Sequence, residues 1–210
     1  MSERFWNKLS KSYDKKAKDK AYHSNISKTK KYLKQHHIVL DFACATGLYS
    51  FPFASQVKEI QAFDTSPRMI QVAKSASLER KIENITFSQT TLFDKKYKES
   101  SFQAVLAFNI LLYFKKPEIV LKRIESLLEK DGLLITTTAC LKEKRTLAGL
   151  LSGFIISILK TLKVLPYLKF LSMQELEQEI ESCGFKIIET DVLMDTPATE
   201  YYIVAKKIRG

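Results

Sequence analysis

The sequence predicts an α/β fold: a doubly wound, mostly parallel sheet of seven strands, with one antiparallel strand and a helical insertion. Three observations carry this. Short β-rich apolar runs alternate with longer segments of helical periodicity, which marks successive β-α-β units. Helix punctuation falls between the runs, with Pro67 and Pro117 at first-turn positions and Asp131-Gly132 and Gly184 at stops. The last two strand-like runs are separated only by residues 194–199, too few for a helical crossover, so they should pair antiparallel.

Taken in order, the run 38–42 (IVLDF) is the first strand, and 48–57 reads as a helix with Pro52 in its first turn, where a missing N–H costs least. The second strand, 60–63, ends at Asp64. Thr65 or Ser66 then caps a helix that starts at Pro67 and runs to about Leu78. Residues 84–89 and 102–108 supply the third and fourth strands. After Pro117, the apolar positions Ile119, Val120, Ile124, Leu127 and Leu128 follow helical spacing until Asp131-Gly132, and 133–138 is the fifth strand. Ser172 with Glu175 forms a capping-box pattern for a helix through Cys183. The runs 185–193 and 200–206 close the sheet.

The 210 residues, 45% hydrophobic and 27% charged, fit one globular domain over 1–210 and exclude a disordered or fibrous chain. Cys44, Cys140 and Cys183 are few, far apart and without C-x-x-C spacing, so they predict a reducing compartment and no metal site. The N-terminal run lacks the apolar core of a secretory signal, which predicts a cytoplasmic protein. The net charge of +11 is uneven: residues 1–37 hold eleven Lys or Arg against Glu3, Asp14 and Asp19, and all three histidines, His23, His36 and His37. Such an arm suits nucleic acid, anionic lipid or an acidic substrate, although a solvated helical face is the commoner fate of a charge run.

In an open α/β sheet, ligands bind beyond the carboxyl ends of the strands where strand order reverses, and the first strand usually borders that crevice. The small-residue loop Ala43, Cys44, Ala45, Thr46, Gly47 stands at that place. Its backbone N–H groups can approach a ligand closely and favour a negative group. Asp41, at the strand end, suits an ammonium. About twenty residues on, Asp64 ends the second strand, where a carboxylate can accept both hydroxyls of a ribose; the competing reading is a helix-starting cap.

These residues resemble the class I S-adenosylmethionine-dependent methyltransferases over about Phe5 to Lys206, most closely bacterial small-molecule enzymes of the quinone-biosynthesis-like kind. The resemblance is carried by VLDFACATGLYS (39–50), FDTSPRMIQVAK (63–74), SFQAVLAFNILLYF (101–114) and DGLLITTT (131–138). It implies a Rossmann-like sheet and S-adenosylmethionine as cofactor. The family motif of an acid followed by three alternating glycines reads here Asp41, Ala43, Ala45, Gly47, so two positions add a methyl and would be strained wherever φ must be positive. The resemblance places Asp64 on the ribose, Thr65 and Met69 beside the adenine, and Thr91 with the Leu92 N–H on its polar edge. It sets Asn109 and Ile110 along the methionine part, with Cys44 inside the loop. Tyr113 faces the substrate side, where it can orient or deprotonate a phenol-like or hydroxyl acceptor. The basic N-terminal segment, 1–37, resembles a lid in which Tyr13 closes over the cofactor carboxylate and Trp6 anchors; packing is the bland alternative for both rings.

The insertion, 139–171, contains fourteen uncharged residues at 146–159, too few to span a bilayer. Leu147, Leu150, Leu151, Phe154, Ile155, Ile158, Leu159 and Leu162 share a helical face. Three roles fit an amphipathic helix of this kind: a cap over the substrate, a peripheral membrane contact, or a dimer contact. The predicted activity is methyl transfer to a small, apolar or lipid-like molecule by a monomer or homodimer. The alternatives are a nucleic-acid methyltransferase, disfavoured because AFNILLYF lacks an Asn/Asp-Pro-Pro-Tyr tetrad, and a non-catalytic binding module on the same fold.

Overall fold

The computed structural model describes residues 2–143, 167–195 and 198–208. Its strands are β1 (Ile38–Phe42), β2 (Glu59–Asp64), β3 (Ile85–Gln89), β4 (Phe102–Phe108), β5 (Leu128–Cys140), β6 (Phe185–Met194) and β7 (Thr199–Lys207). Their order is β3-β2-β1-β4-β5-β7-β6. From β3 through β5 neighbours pair in parallel, and β7 runs antiparallel to both β5 and β6. Strand order reverses between β1 and β4, so the ligand crevice of such a sheet lies above their carboxyl ends. Because β7 is antiparallel, its beginning, Thr199 and Glu200, emerges at that same edge, beside Cys140 and Ala139 of β5.

The helices are α1 (Ser2–Leu9), α2 (Tyr13–Ala17), α3 (Lys20–Lys30), α4 (Pro67–Glu79), α5 (Pro117–Leu127) and α6 (Met173–Ser182). Alternation along the strands divides the apolar side chains between two cores. One, with Leu40, Val105, Leu134 and Ile203, packs against Leu121 and Ile124 of α5 and Ile180 of α6. The other, with Val39, Leu106, Ile135 and Val204, packs against Ala21 of α3, Phe53 and Ile70 of α4. On this second face Asn25 donates to Thr137 Oγ1, and Thr29 Oγ1 donates to Asn25 Oδ1 at 3.0 Å, which satisfies the polar groups that α3 buries. Lys28 of the basic arm is paired internally, 3.1 Å from Glu189 and 2.8 Å from Asp191.

Two expected boundaries move. Residues 48–57 do not form an α-helix; turns lead into a 3-10 helix, Phe51–Gln56. Pro52 has no N–H to offer the Leu48 carbonyl, which accepts instead from the Tyr22 hydroxyl at 3.4 Å, and only Phe51 N reaches four residues back, to Gly47 O at 3.1 Å. The helix from Pro117 ends at Leu127, short of Asp131-Gly132. The start of β4 captures its last carbonyls, Ser100 N on Ser126 O and Ser101 N on Leu127 O, and Leu128 pairs with Phe102. Asp131, at φ 63°, thus lies in an irregularity of β5, between Leu128, which pairs with Phe102, and Leu133, which pairs with Ala104.

Other signals hold to the residue. Ser66, the second of the two cap candidates, accepts from Met69 N at 3.1 Å. Ser172 and Glu175 form both halves of the capping box. The apolar helical stretch expected at 146–162 lies outside the described residues. The ends of that insertion are anchored: Lys169 N donates to Leu112 O at 2.7 Å and Lys142 N to Leu171 O at 3.1 Å. Among the described residues no helix is long and apolar enough to cross a membrane.

Candidate active site

The loop after β1 is held in an uncommon backbone shape. Ala43, Ala45 and Gly47 all have positive φ, at 59°, 49° and 78°. An L-residue in the left-handed region costs roughly 1–2 kcal/mol, so the two alanines store strain that a glycine would not. Gly47 has a second constraint. A Cβ there would stand 2.8 Å from the Phe87 ring and 3.0 Å from the Phe51 ring, closer than real contacts come.

Two carboxylates are buried beneath this loop. Asp41 accepts a hydrogen bond from the Ser50 hydroxyl, and burial pushes its carboxyl up to about 7, with Asp64 adding to the rise. Asp64 pins the loop: Oδ2 accepts from Ala45 N at 3.1 Å and Oδ1 from Ser66 N at 2.8 Å. Burial raises Asp64 too, against those N–H bonds. Neither has a cation partner among the described residues. Buried carboxylates without a cation are costly, and such pairs mark functional sites.

The N-terminal segment closes over them. Asn7 of α1 accepts from the Ser66 hydroxyl at 2.6 Å, Asp14 of α2 accepts from the Thr46 hydroxyl, and Trp6 meets Tyr113 edge-on with centroids 5.5 Å apart. The Tyr13 hydroxyl lies among Tyr113, Asp64, Asp14 and Asp41; burial first, then those neighbours, push its pKa far up, so it stays a donor. The structure therefore brings Tyr13, Trp6, Asp41, Asp64 and Tyr113 together from four separate stretches of chain.

The other expected positions divide. Cys44 is buried beneath the loop, its N–H on Phe63 O at 2.9 Å and its thiol pushed well up by burial. Met69 is buried at the start of α4, while Thr65 and Thr91 are exposed beside the ends of β2 and β3. The Leu92 side chain is core, packed with Phe63 and Tyr97, which leaves only its backbone for a ligand. Asp94, three residues beyond Thr91, is engaged by the Thr90 hydroxyl at 2.6 Å. After β4, Asn109 takes φ 51°, a region asparagine tolerates, and its N–H bonds Thr137 O at 2.7 Å; Ile110 is partly buried against the α5-side core. Tyr113 ends the 3-10 helix Leu111–Tyr113, and burial followed by the Glu200 charge raises its hydroxyl to about 12.

Sequence reasoning missed Ser50, Asp14 and Asn7, whose roles appear only when loops meet. It also missed Glu200. One signal pointed to Glu200: a lone acid opening the otherwise apolar run YYIVA on a strand expected to be antiparallel.

Comparison with known proteins agrees with this layout. Residues 33–200 match the family model described as a methyltransferase domain. A ubiquinone biosynthesis O-methyltransferase of Azorhizobium caulinodans is 26% identical over 80% of this chain and 66% of its own length. An uncharacterized methyltransferase of Bacillus subtilis, YcgJ, is 26% identical over 46% of this chain and 38% of its own. The match thus spans under two thirds of either relative. Among solved structures, a chain of the Haloferax volcanii complex between the Trm112 methyltransferase activator and a putative methyltransferase superposes with a TM-score of 0.80. It does so at 13% identity, over 100% of this chain and 99% of that one. At that identity the likeness speaks for the fold.

Proposed function

The chain belongs to the methyltransferase-domain family of class I S-adenosylmethionine-dependent enzymes, and from that premise we propose that it methylates a small, apolar or lipid-like acceptor. The observation that carries this is the pair of buried, cation-free carboxylates, Asp41 and Asp64, beneath a loop with three positive-φ residues at the strand-order reversal.

The residues present fit the cofactor. Asp41 would take its ammonium, which is why an acid sits there without a basic neighbour. Asp64 has spare lone pairs beside its two N–H bonds for the ribose hydroxyls. Tyr13, kept protonated, would donate to the carboxylate. Thr65, Met69, Thr91 and the Leu92 N–H would border the adenine, and Asn109 and Ile110 the methionine part, with Ala43, Cys44, Ala45 and Gly47 offering backbone. When bound, S-adenosylmethionine supplies a methyl group already activated on a sulfonium, so the protein's share is alignment and exclusion of water. Trp6 and the lid supply the exclusion. Tyr113, whose hydroxyl holds its proton to about 12, orients the acceptor.

The relatives named ubiquinone biosynthesis O-methyltransferase support oxygen as the acceptor atom. The test is product detection by mass spectrometry after incubating protein, S-adenosylmethionine and a panel of apolar phenols and hydroxylated lipids. Methylation of one panel member is the expected result. Turnover confined to a nucleic acid or to no compound, with the cofactor bound, would replace this reading.

A further inference from the structure

Glu200 is a partly buried acid that nothing in the cofactor cradle uses. It opens β7, paired with Ala139 of β5 and Met194 of β6, and so emerges at the carboxyl edge of the parallel strands. By strand alternation its side chain shares the sheet face of Thr137 and Tyr202, the face covered by α3, whereas Thr138 and Thr199 point to the other face. Its Oε2 is buried without a hydrogen-bond partner among the described residues, and so is Oδ1 of Asn109, the polar side chain that favours the ionised form of Glu200. Two adjoining buried oxygens left without donors make a site that accepts hydrogen.

The titratable groups that sense its charge or add to it are Asp19 at the start of α3, Tyr49 of the loop after β1, Tyr113 after β4 and, from the opposite face of the sheet, Cys140 of β5. None is a cation. Burial pushes the Glu200 carboxyl up to about 7, against the Asn109 side chain and with Asp19 adding to the rise. A carboxyl poised near neutrality at the end of a crevice suits proton transfer. Burial raises the hydroxyls of Tyr49 and Tyr113 and the Cys140 thiol, so these stay neutral where Glu200 ionises.

We propose that the Glu200 carboxylate, beside Asn109, is the proton acceptor for the methyl acceptor, which therefore presents a neutral or cationic O–H or N–H to it and is not a carboxylate or phosphate. The inference rests on the methyltransferase reading above and specifies its substrate side. The acceptor's proton would pass to Glu200 Oε2 as its oxygen or nitrogen lone pair forms the new bond to the methyl carbon, while the carbon–sulfur bond of S-adenosylmethionine breaks with its electron pair going to sulfur and S-adenosylhomocysteine leaves; the proton then goes to solvent.

The test uses the full chain saturated with S-adenosylhomocysteine and three probes of one shape: p-cresol, 4-methylbenzylamine and p-toluate. Their binding is measured by calorimetry from pH 5 to 9. Expected is p-cresol or amine binding that strengthens as pH rises through about 7, weaker p-toluate binding, and a loss of about 10-fold or more in Glu200→Gln at pH 8. Glu200→Gln should also abolish the pH dependence, which separates Glu200 from Asp41. A preference for p-cresol over the amine, or the reverse, identifies the acceptor atom, and either supports the proposal through its dependence on Glu200. Equal affinity of the wild type and Glu200→Gln for p-cresol and for the amine, or p-toluate binding as well as p-cresol, would overturn it. The comparison of p-toluate with p-cresol uses the wild type alone, so it stands even if the variant misfolds. Failure of the wild type to bind S-adenosylhomocysteine would count against the methyltransferase reading itself, whereas retained cofactor binding with no probe dependence on Glu200 would count against this inference alone.

Discussion

Replacing Asp41 with asparagine separates what this residue costs the fold from what it gives the ligand. Its carboxyl rises from 3.8 to about 7 on folding, chiefly through burial. Each unit is worth about 1.36 kcal/mol, so the ionised side chain destabilises the unligated fold by at most about 4 kcal/mol above pH 7. The sign follows from the raised value. The unfolded chain releases this proton near pH 4 and the folded chain near pH 7, so the stability held below pH 4 is lost as pH rises to about 7 and is level beyond. Asp41→Asn keeps an acceptor for the Ser50 hydroxyl and carries no charge. Without ligand it should therefore be more stable than the wild type at pH 8, by about 2–4 kcal/mol, and by far less at pH 4. For S-adenosylmethionine the effect reverses, because the ammonium loses a charged partner, and affinity should fall about 10- to 100-fold. Urea unfolding at both pH values and calorimetry at pH 8 measure the two effects. Unchanged stability at pH 8 together with cofactor affinity within about twofold of the wild type would refute the reasoning.

The strained loop yields a further set of expectations. Ala43→Gly and Ala45→Gly each relieve a left-handed alanine, which outweighs the added chain entropy by about 0.5–1 kcal/mol and should raise the melting temperature by about 2 °C. Gly47→Ala meets both the positive φ of 78° and the Phe87 ring, and should cost about 2–3 kcal/mol in urea unfolding. Trp6→Ala removes the edge contact with Tyr113. Cofactor affinity should drop about 3- to 10-fold by calorimetry while the main melting transition stays in place.

The sheet was legible because its strands obey local rules. β4 was bounded correctly from its β-branched and aromatic content, and the short 194–199 connection forced β7 to run antiparallel. Asp41 and Asp64 were legible because strand ends at a reversal of order are where carboxylates meet ligands. The 48–57 segment misled because its apolar content hides a backbone effect: Pro52 has no N–H for the Leu48 carbonyl, so the α-type bond from Phe51 N to Gly47 O is not continued at the next residue. The end of α5 misled for a tertiary reason, since Asp131-Gly132 is a genuine stop signal but β4 takes the helix carbonyls three residues sooner. The lid bonds from Asn7 and Asp14 depend on contacts between stretches dozens of residues apart, which no local pattern encodes, and for Glu200 the only local trace is an acid opening an apolar strand.

The central claim is that Asp41, Asp64 and the loop between Ala43 and Gly47 hold S-adenosylmethionine. Calorimetric titration of the full chain with this cofactor, beside the Asp64→Ala variant, tests it most directly. The account predicts saturable one-to-one binding by the wild type that Asp64→Ala weakens by about 10-fold or more. No binding heat at about 1 mM cofactor, an affinity weaker than roughly −4 kcal/mol, would contradict it.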